Sequence, residues 1–319
     1  MDFSNSASVG ISSFATSRSS SARPTSRPSR TSEKEFPFLK NALGHDIVVT
    51  DGTTLLGGDY KAGIVIMTAL DDALKEKDHR PIEILFTTDE EIGADAEHIS
   101  MECVKSSYGY TVDGGDAALV AIESFTAYSM EVLVHGKSIH PGSAKDKMAH
   151  AASTLIDFHQ ALPRYLRAEH TADKEPFYHL CTISGTEEEA KGEYIIRSFD
   201  EEEMKKLIEL AQFTAKRMNE LLGYEAIVLN IKEQYHNMKT VLDKLPEIQE
   251  EMEKVYKKLG LPYAYEAIRG GTTGSQLSFK GLPCPNLGTG DYNCHGPYEY
   301  VDVQEMETMV KVVKELMVG

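Results

Sequence analysis

The chain has 319 residues, with 33 Lys+Arg against 50 Asp+Glu and a net charge of −17. That balance argues against a nucleic-acid or anionic-membrane partner, since both need a positive face to displace counterions. A content of 41% hydrophobic and 26% charged residues is ordinary for a globular chain and leaves room for two domains. No apolar run approaches the roughly 18 residues of a spanning helix, so a soluble, cytoplasmic protein is expected. Cys103, Cys181, Cys284 and Cys294 show no CxxC spacing and read as free thiols.

Residues 1–32 read as a disordered tail. The first 30 residues hold eleven serines, the arginines Arg18, Arg23, Arg27 and Arg30, and one acid, Asp2. Such a segment buries too little surface to offset its ordering entropy. A Ser/Arg-rich, acid-poor start also resembles an organellar transit peptide, which gives an organellar location as the alternative.

Asp46 to Thr50 is a short apolar strand closed by the turn signal Asp51-Gly52. Ala62 to Glu76 carries Ile64, Met67, Leu70 and Leu74 at helical spacing. Pro81 to Thr88 reads as a buried strand running into Asp89-Glu90-Glu91, and Tyr108 to Val112 as another running into Asp113-Gly114-Gly115. This alternation predicts an α/β, mostly parallel sheet with acidic residues at the carboxyl ends of its strands, the rim where open α/β sheets bind ligands.

From Ala117 the pattern changes. Ala127 to His135 alternates like a half-buried strand, Lys147 to Leu162 reads as a helix, and Tyr178 to Ser184 and Glu193 to Phe199 as strands. Asp200 opens a helix to Leu222, with Glu203 completing a capping-box pattern, and Glu225 to Lys232 is a last strand. Strand, helix, strand, strand, helix, strand describes an inserted α+β sandwich. Leu245 to Leu259, closed by Gly260, and Val303 to Met317 are amphipathic helices that resume the first pattern. The expected organisation is a catalytic domain at 33–115 and 237–319, split by an insert at 116–236.

Asp59, Glu90/Glu91 and Asp113 follow apolar strands or sit at glycine-flanked turns in three separate segments. Hydrolytic metal sites need several anionic oxygens or imidazole nitrogens converging from rigid elements, which parallel strand ends supply. A solvated charge cluster is the bland alternative for the acidic triplet. His295 lies between glycines before the last helix, within reach of the same rim. Cys294 beside it suggests a thiol nucleophile only weakly, because adjacent side chains point apart in extended chain. No GxSxG elbow, Walker loop or complete GxGxxG occurs.

Several stretches together resemble the di-zinc exopeptidase family that includes aminoacylase and carboxypeptidase G2, closest to its tripeptide aminopeptidase branch. The carrying segments are residues 50–63 (TDGTTLLGGDYKAG), 87–93 (TTDEEIG), 110–115 (YTVDGG), 139–145 (IHPGSAK), 268–278 (IRGGTTGSQLS) and 286–296, in family order. The resemblance implies that Asp59 bridges two zinc ions, that Glu91 and His295 complete one ion's ligands, and that Asp113 binds the other. Glu90 would not ligate; it would take a proton from the bridging water and deliver it to the leaving amine. His140 resembles a histidine in the lid domain that stabilises the oxyanion across a homodimer interface, and Arg197 and Arg269 look like contacts to the substrate carboxylate of a short peptide. A surface ion pair is the alternative for both arginines.

Three departures accompany the likeness. The family's earlier strand ending in His-x-Asp, which supplies a histidine for the ion at the Asp113 position, has no counterpart. The tail stands in its place, and the gap would leave sheet surface and an edge uncovered. His45-Asp46 is the His-Asp pair nearby, but it starts the strand before Asp59 instead of ending an earlier one. Tyr60 stands where the branch has a second acid and Thr273 where it has Asp, changes that would weaken a metal site. Two readings follow: a zinc-dependent tripeptide aminopeptidase, or a catalytically impaired scaffold that binds but does not cleave; the resemblance implies two zinc ions per subunit, with one as the alternative here.

Overall fold

The computed structural model describes residues 7–14 and 36–318, apart from 52, 76, 77, 93 and 94. The chain forms two compact units: one from the chain up to Ile122 with Met238–Ala267 and Thr272 onward, the other from Glu123–Asn237 with Ile268–Gly271. The longer segment of the second unit starts at Glu123.

The first unit opens with strand β1 (Ala7–Phe14), β2 (Ile47–Val49), helix α1 (Gly58–Leu74), β3 (Ile82–Thr88), β4 (Tyr108–Val112) and β5 (Leu119–Ser124). The second unit contributes β6 (Thr126–His135), α2 (Ala151–Ala161), β7 (Phe177–Gly185), β8 (Glu189–Ser198), α3 (Glu201–Leu222) and β9 (Ile227–Tyr235). The first unit then resumes with α4 (Lys239–Leu242), α5 (Pro246–Leu259), β10 (Ala264–Ile268), α6 (Thr273–Phe279), β11 (Asn286–Leu287), β12 (Asp291–Tyr292), β13 (Tyr300–Asp302) and α7 (Val303–Val318).

Its main sheet runs β10-β5-β11-β4-β1-β3. β1 is parallel to both β3 and β4, and β11 is parallel to β4 but antiparallel to β5. The expectation of a disordered tail is therefore corrected for Ala7–Phe14, which lie inside the sheet; the rest of residues 1–32, with the transit-peptide reading, falls outside the described residues. The physical reason is backbone satisfaction. The facing edges of β3 and β4 each present a row of N–H and C=O groups, and Gly10 pairs with Leu85 on one side and Thr111 on the other.

Two other strand expectations change. β3, read as buried, is the outer strand of the sheet, so Ile84 and Phe86 are 40% and 51% exposed. β2, with its three residues exposed, joins a separate antiparallel sheet, β12-β13-β2, instead of the parallel one. The helices follow their periodicity: Ile66, Met67, Leu70 and Leu74 of α1 are buried, as are Met309, Val312, Val313 and Leu316 of α7, against which α1 packs.

The second unit is a four-stranded antiparallel sheet, β7-β8-β6-β9, with α2 and α3 sharing its core. Alternation along β6 buries Met130, Val132 and Val134, which meet Leu155 and Phe158 of α2 and Leu207 and Ala211 of α3. Each such large side chain contributes about 1.5–3 kcal/mol on burial. α3 begins where the Asp200 carboxylate accepts the Glu203 N–H at 2.7 Å, and ends at Gly223 with φ 75°, a left-handed conformation that glycine adopts without steric cost.

Because β1 lies between two parallel neighbours, Gly10→Pro should remove a ladder hydrogen bond and leave a buried acceptor unpaired. The expected loss is about 1–3 kcal/mol of stability, measured by urea denaturation; an unchanged midpoint would take β1 out of the sheet interior.

Candidate metal centre and acidic rim

Asp59 is held by an unusual turn. Gly57 has φ 64°, and at Gly58 an added Cβ would lie 2.4 Å from Val301, so neither position accepts a side chain without strain. Both N–H groups flanking Gly58 are fixed by one buried carboxylate: Gly57 N donates to Glu299 Oε2 at 2.7 Å and Asp59 N to Glu299 Oε1 at 3.1 Å. Tyr60 follows with φ 68°, a conformation rare for an aromatic residue. Strain of this kind persists only where the surroundings over-determine it.

Four of the expected ligands meet in this first unit. His295 Nε2 lies 2.7 Å from Asp59 Oδ2 and 3.4 Å from Glu91 Oε2, and the three donor atoms are within 4.8 Å of one another. Burial pushes the Asp113 carboxyl well up, helped by the charges of Asp59 and Glu90 and by a hydrogen bond to Asp59. Burial alone would lower the His295 imidazole, but the charges of Asp59 and Glu91 outweigh it and raise its pKa. Two carboxylate oxygens and one imidazole nitrogen suit a divalent ion such as zinc, so the residues present fit one ion. At the Asp113 side, among the described residues, the structure brings Asp113 to Asp59 without a second imidazole.

Glu90 stands apart from that group. Burial lifts its carboxyl to about 7; the Tyr60 hydroxyl, which donates to Oε2, opposes the rise, and the charges of Asp95, Asp59 and Glu91 add to it. The Tyr60 departure therefore places a phenol on Glu90 in place of an acid. The Thr273 departure also finds an acid from elsewhere, since its hydroxyl donates to Asp95 Oδ2 at 2.6 Å across 178 residues. The expectation that this position simply loses an outer carboxylate is corrected, because Asp95 reaches it from the loop after β3.

Sequence reasoning missed a second acidic group, Asp291, Cys294 and Glu299, whose donor atoms also lie within 4.8 Å of one another. Asp291 is buried and its carboxyl is raised to about 7 by burial, against the opposing Cys294 hydrogen bond. Cys294 Sγ donates to Asp291 Oδ2 at 3.3 Å, and burial with the Asp291 charge pushes the thiol up, so it is no activated nucleophile. Spacing could have flagged these residues, but not their burial together. His45, the alternative ligand, instead bonds Asp302 through Nδ1 at 2.6 Å.

The remaining expected residues belong to the second unit. His140 is exposed and its Nδ1 accepts the Gly142 N–H at 3.1 Å. Arg197 donates through NH1 to the Tyr128 and Ile196 carbonyls at 3.2 and 3.0 Å and lies over the Tyr235 ring. Arg269 holds the 171–175 loop, donating to the carbonyls of Asp173 and Glu175 and at 3.0 Å to Thr171 Oγ1. Among the described residues neither arginine makes the ion pair of the alternative reading; both donate to backbone carbonyls.

Residues 57–318 match the family model of peptidase family M20/M25/M40. Peptidase T of Bacillus velezensis is 42% identical over 288 residues, covering 89% of this chain and 70% of that protein. Peptidase T of Caldanaerobacter subterraneus is 40% identical over 289 residues, covering 90% and 71%. Among solved structures, aminopeptidase PepT of Bacillus cereus superposes with a TM-score of 0.76 at 21% identity, over 99% of this chain and 81% of that one. The YXEP protein of Bacillus subtilis, described as a dinuclear metal-binding peptidase, gives 0.61 at 14% identity over 98% and 80%.

Asp59→Ala should abolish tight binding of zinc to metal-stripped protein, because it removes the carboxylate that touches both His295 and Asp113. Calorimetric titration checks this, and an unchanged stoichiometry and affinity would remove Asp59 from the site.

Proposed function

Because the chain belongs to peptidase family M20/M25/M40 and is a hydrolase of the aminopeptidase type, we propose that it releases the N-terminal residue from tripeptides at a zinc centre built from Asp59, Glu91 and His295, with Asp113 alongside. The observation that carries this reading is the 2.7 Å approach of His295 to Asp59 with Glu91 at 3.4 Å, next to a Glu90 carboxyl that joins neither contact. A divalent ion bound there would polarise the peptide carbonyl and acidify the attacking water.

Glu90 is the proton carrier in this proposal. A carboxyl lifted to about 7 exchanges protons readily at neutral pH, so it can take one from the attacking water and return it to the leaving amine. Tyr60 orients Glu90 by donating to Oε2, leaving Oε1 for the water. His140 acts as the oxyanion donor supplied across a homodimer formed by the second unit, and Arg197 and Arg269 receive the substrate carboxylate. No helix among the described residues is long and apolar enough to cross a membrane.

A second reading, a scaffold impaired in hydrolysis, draws on the single imidazole that, among the described residues, accompanies Asp59 and Glu91, with Asp113 and Glu90 beside them. Metal analysis with a tripeptide assay separates the two. Bound zinc with turnover supports the peptidase, while turnover absent from fully loaded protein supports the scaffold.

Glu90→Gln should lower kcat by about 10²- to 10⁴-fold with zinc retained; zinc lost along with activity would make Glu90 a ligand. Mixed dimers of His140→Ala and Glu90→Gln protein should regain part of the activity that each lacks alone. No recovery in confirmed mixed dimers would refute a histidine supplied across the interface.

A further inference from the structure

Asp95 is a buried acid that the proposed chemistry does not use. It is 1% exposed, in the loop that follows Glu90 and Glu91. Its Oδ2 accepts the Thr273 hydroxyl at 2.6 Å and the Thr87 hydroxyl at 3.3 Å, while Oδ1 is buried with no partner among the described residues. Among the described residues no cationic side chain pairs with it. Burying a carboxyl oxygen without a partner costs about 1–3 kcal/mol, so this carboxyl is an expensive way to join these segments.

The segments it joins explain its position. Thr87 is next to last in β3, three residues before Glu90, and Thr273 is the first residue of α6; both are buried, at 6% and 5% exposure. The loop is further tied by Lys280, just past α6, whose ammonium donates to the Ala96 carbonyl. α6 is itself held at its start by the reciprocal Thr272 and Ser275 bonds, so Asp95 fastens to a fixed point. The acidic loop between β3 and Asp95 is thus anchored at both ends by one carboxylate.

We propose that Asp95 is the positioning residue of the acidic loop, linking β3 to α6 through Thr87 and Thr273 and so fixing the direction in which Glu90 and Glu91 leave the backbone. This inference rests on the metal-centre reading above. It makes Asp95 and Thr273 a matched pair in which the acid sits on one side of the contact and the hydroxyl on the other, so exchanging them should preserve the link.

The test uses metal-stripped full-length protein titrated with zinc, followed by tripeptide kinetics. Asp95→Ala and Thr273→Val, the latter replacing the hydroxyl with a methyl at similar volume, should each weaken zinc about 10- to 100-fold and lower kcat, with the melting temperature of the metal-free protein unchanged or raised. Asp95→Asn keeps an acceptor and should hold most of the affinity. The double exchange Asp95→Thr with Thr273→Asp should recover affinity and kcat to within a few-fold of the parent. Parent-like zinc affinity in Thr273→Val, or an exchange variant no better than its single changes, overturns the proposal. Failure of the parent protein itself to bind zinc overturns the metal-centre reading instead.

Discussion

The structure depends on the concentration of negative charge at one rim, where Asp59, Glu90, Glu91 and Asp113 converge with a single imidazole, His295. Two unit charges 4 Å apart repel by about 4 kcal/mol at the effective dielectric of a protein surface. The cluster is therefore tolerable only with protons or cations shared among its members. Burial raises the proton affinities of Glu90 and Asp113, and the neighbouring carboxylates add to the rise; the coplacement of two carboxylates and an imidazole would relieve the same repulsion by holding a cation.

Holding such a cluster together requires a rigid frame, and the frame is built from unfavourable local choices. The left-handed Gly57 and Tyr60, the close approach at Gly58 and the double acceptance of backbone N–H groups by Glu299 all serve to aim Asp59. Tyr60 has a further consequence, because the same strained residue delivers its hydroxyl to Glu90. Backbone strain, ligand placement and the orientation of the proton carrier are thus features of one short turn.

The sheet supplies the rest of the frame. β3 and β4 carry Glu90/Glu91 and Asp113 just past their ends, and their spacing is set by whatever strand lies between them. Here Ala7–Phe14 fills that position, a segment whose composition suggested a disordered tail or a transit peptide. The hydrogen-bonding needs of the two flanking strands account for its capture better than its own propensity does.

Residue pattern alone indicated the α/β class and the helices α1, α3, α5 and α7, and it singled out Asp59, Glu90, Glu91, Asp113 and His295 as the candidate set and an α+β insert as the candidate second domain. Those features are encoded locally, in apolar periodicity, in caps such as Asp200, in acids just past strands such as Glu90 and Asp113, and in the glycine turn that carries Asp59. The sequence did not reveal that β3 is an outer strand, that β2 belongs to a second sheet, that Ala7–Phe14 pairs at all, or that Asp95 meets Thr273 and Cys294 meets Asp291. Each of these is a property of which surfaces come together. A strand's exposure depends on its neighbours in the sheet, and a carboxylate's partner 178 residues away leaves no trace in local spacing. Tertiary structure decided them because burial and hydrogen-bond satisfaction are settled only once the whole chain has packed.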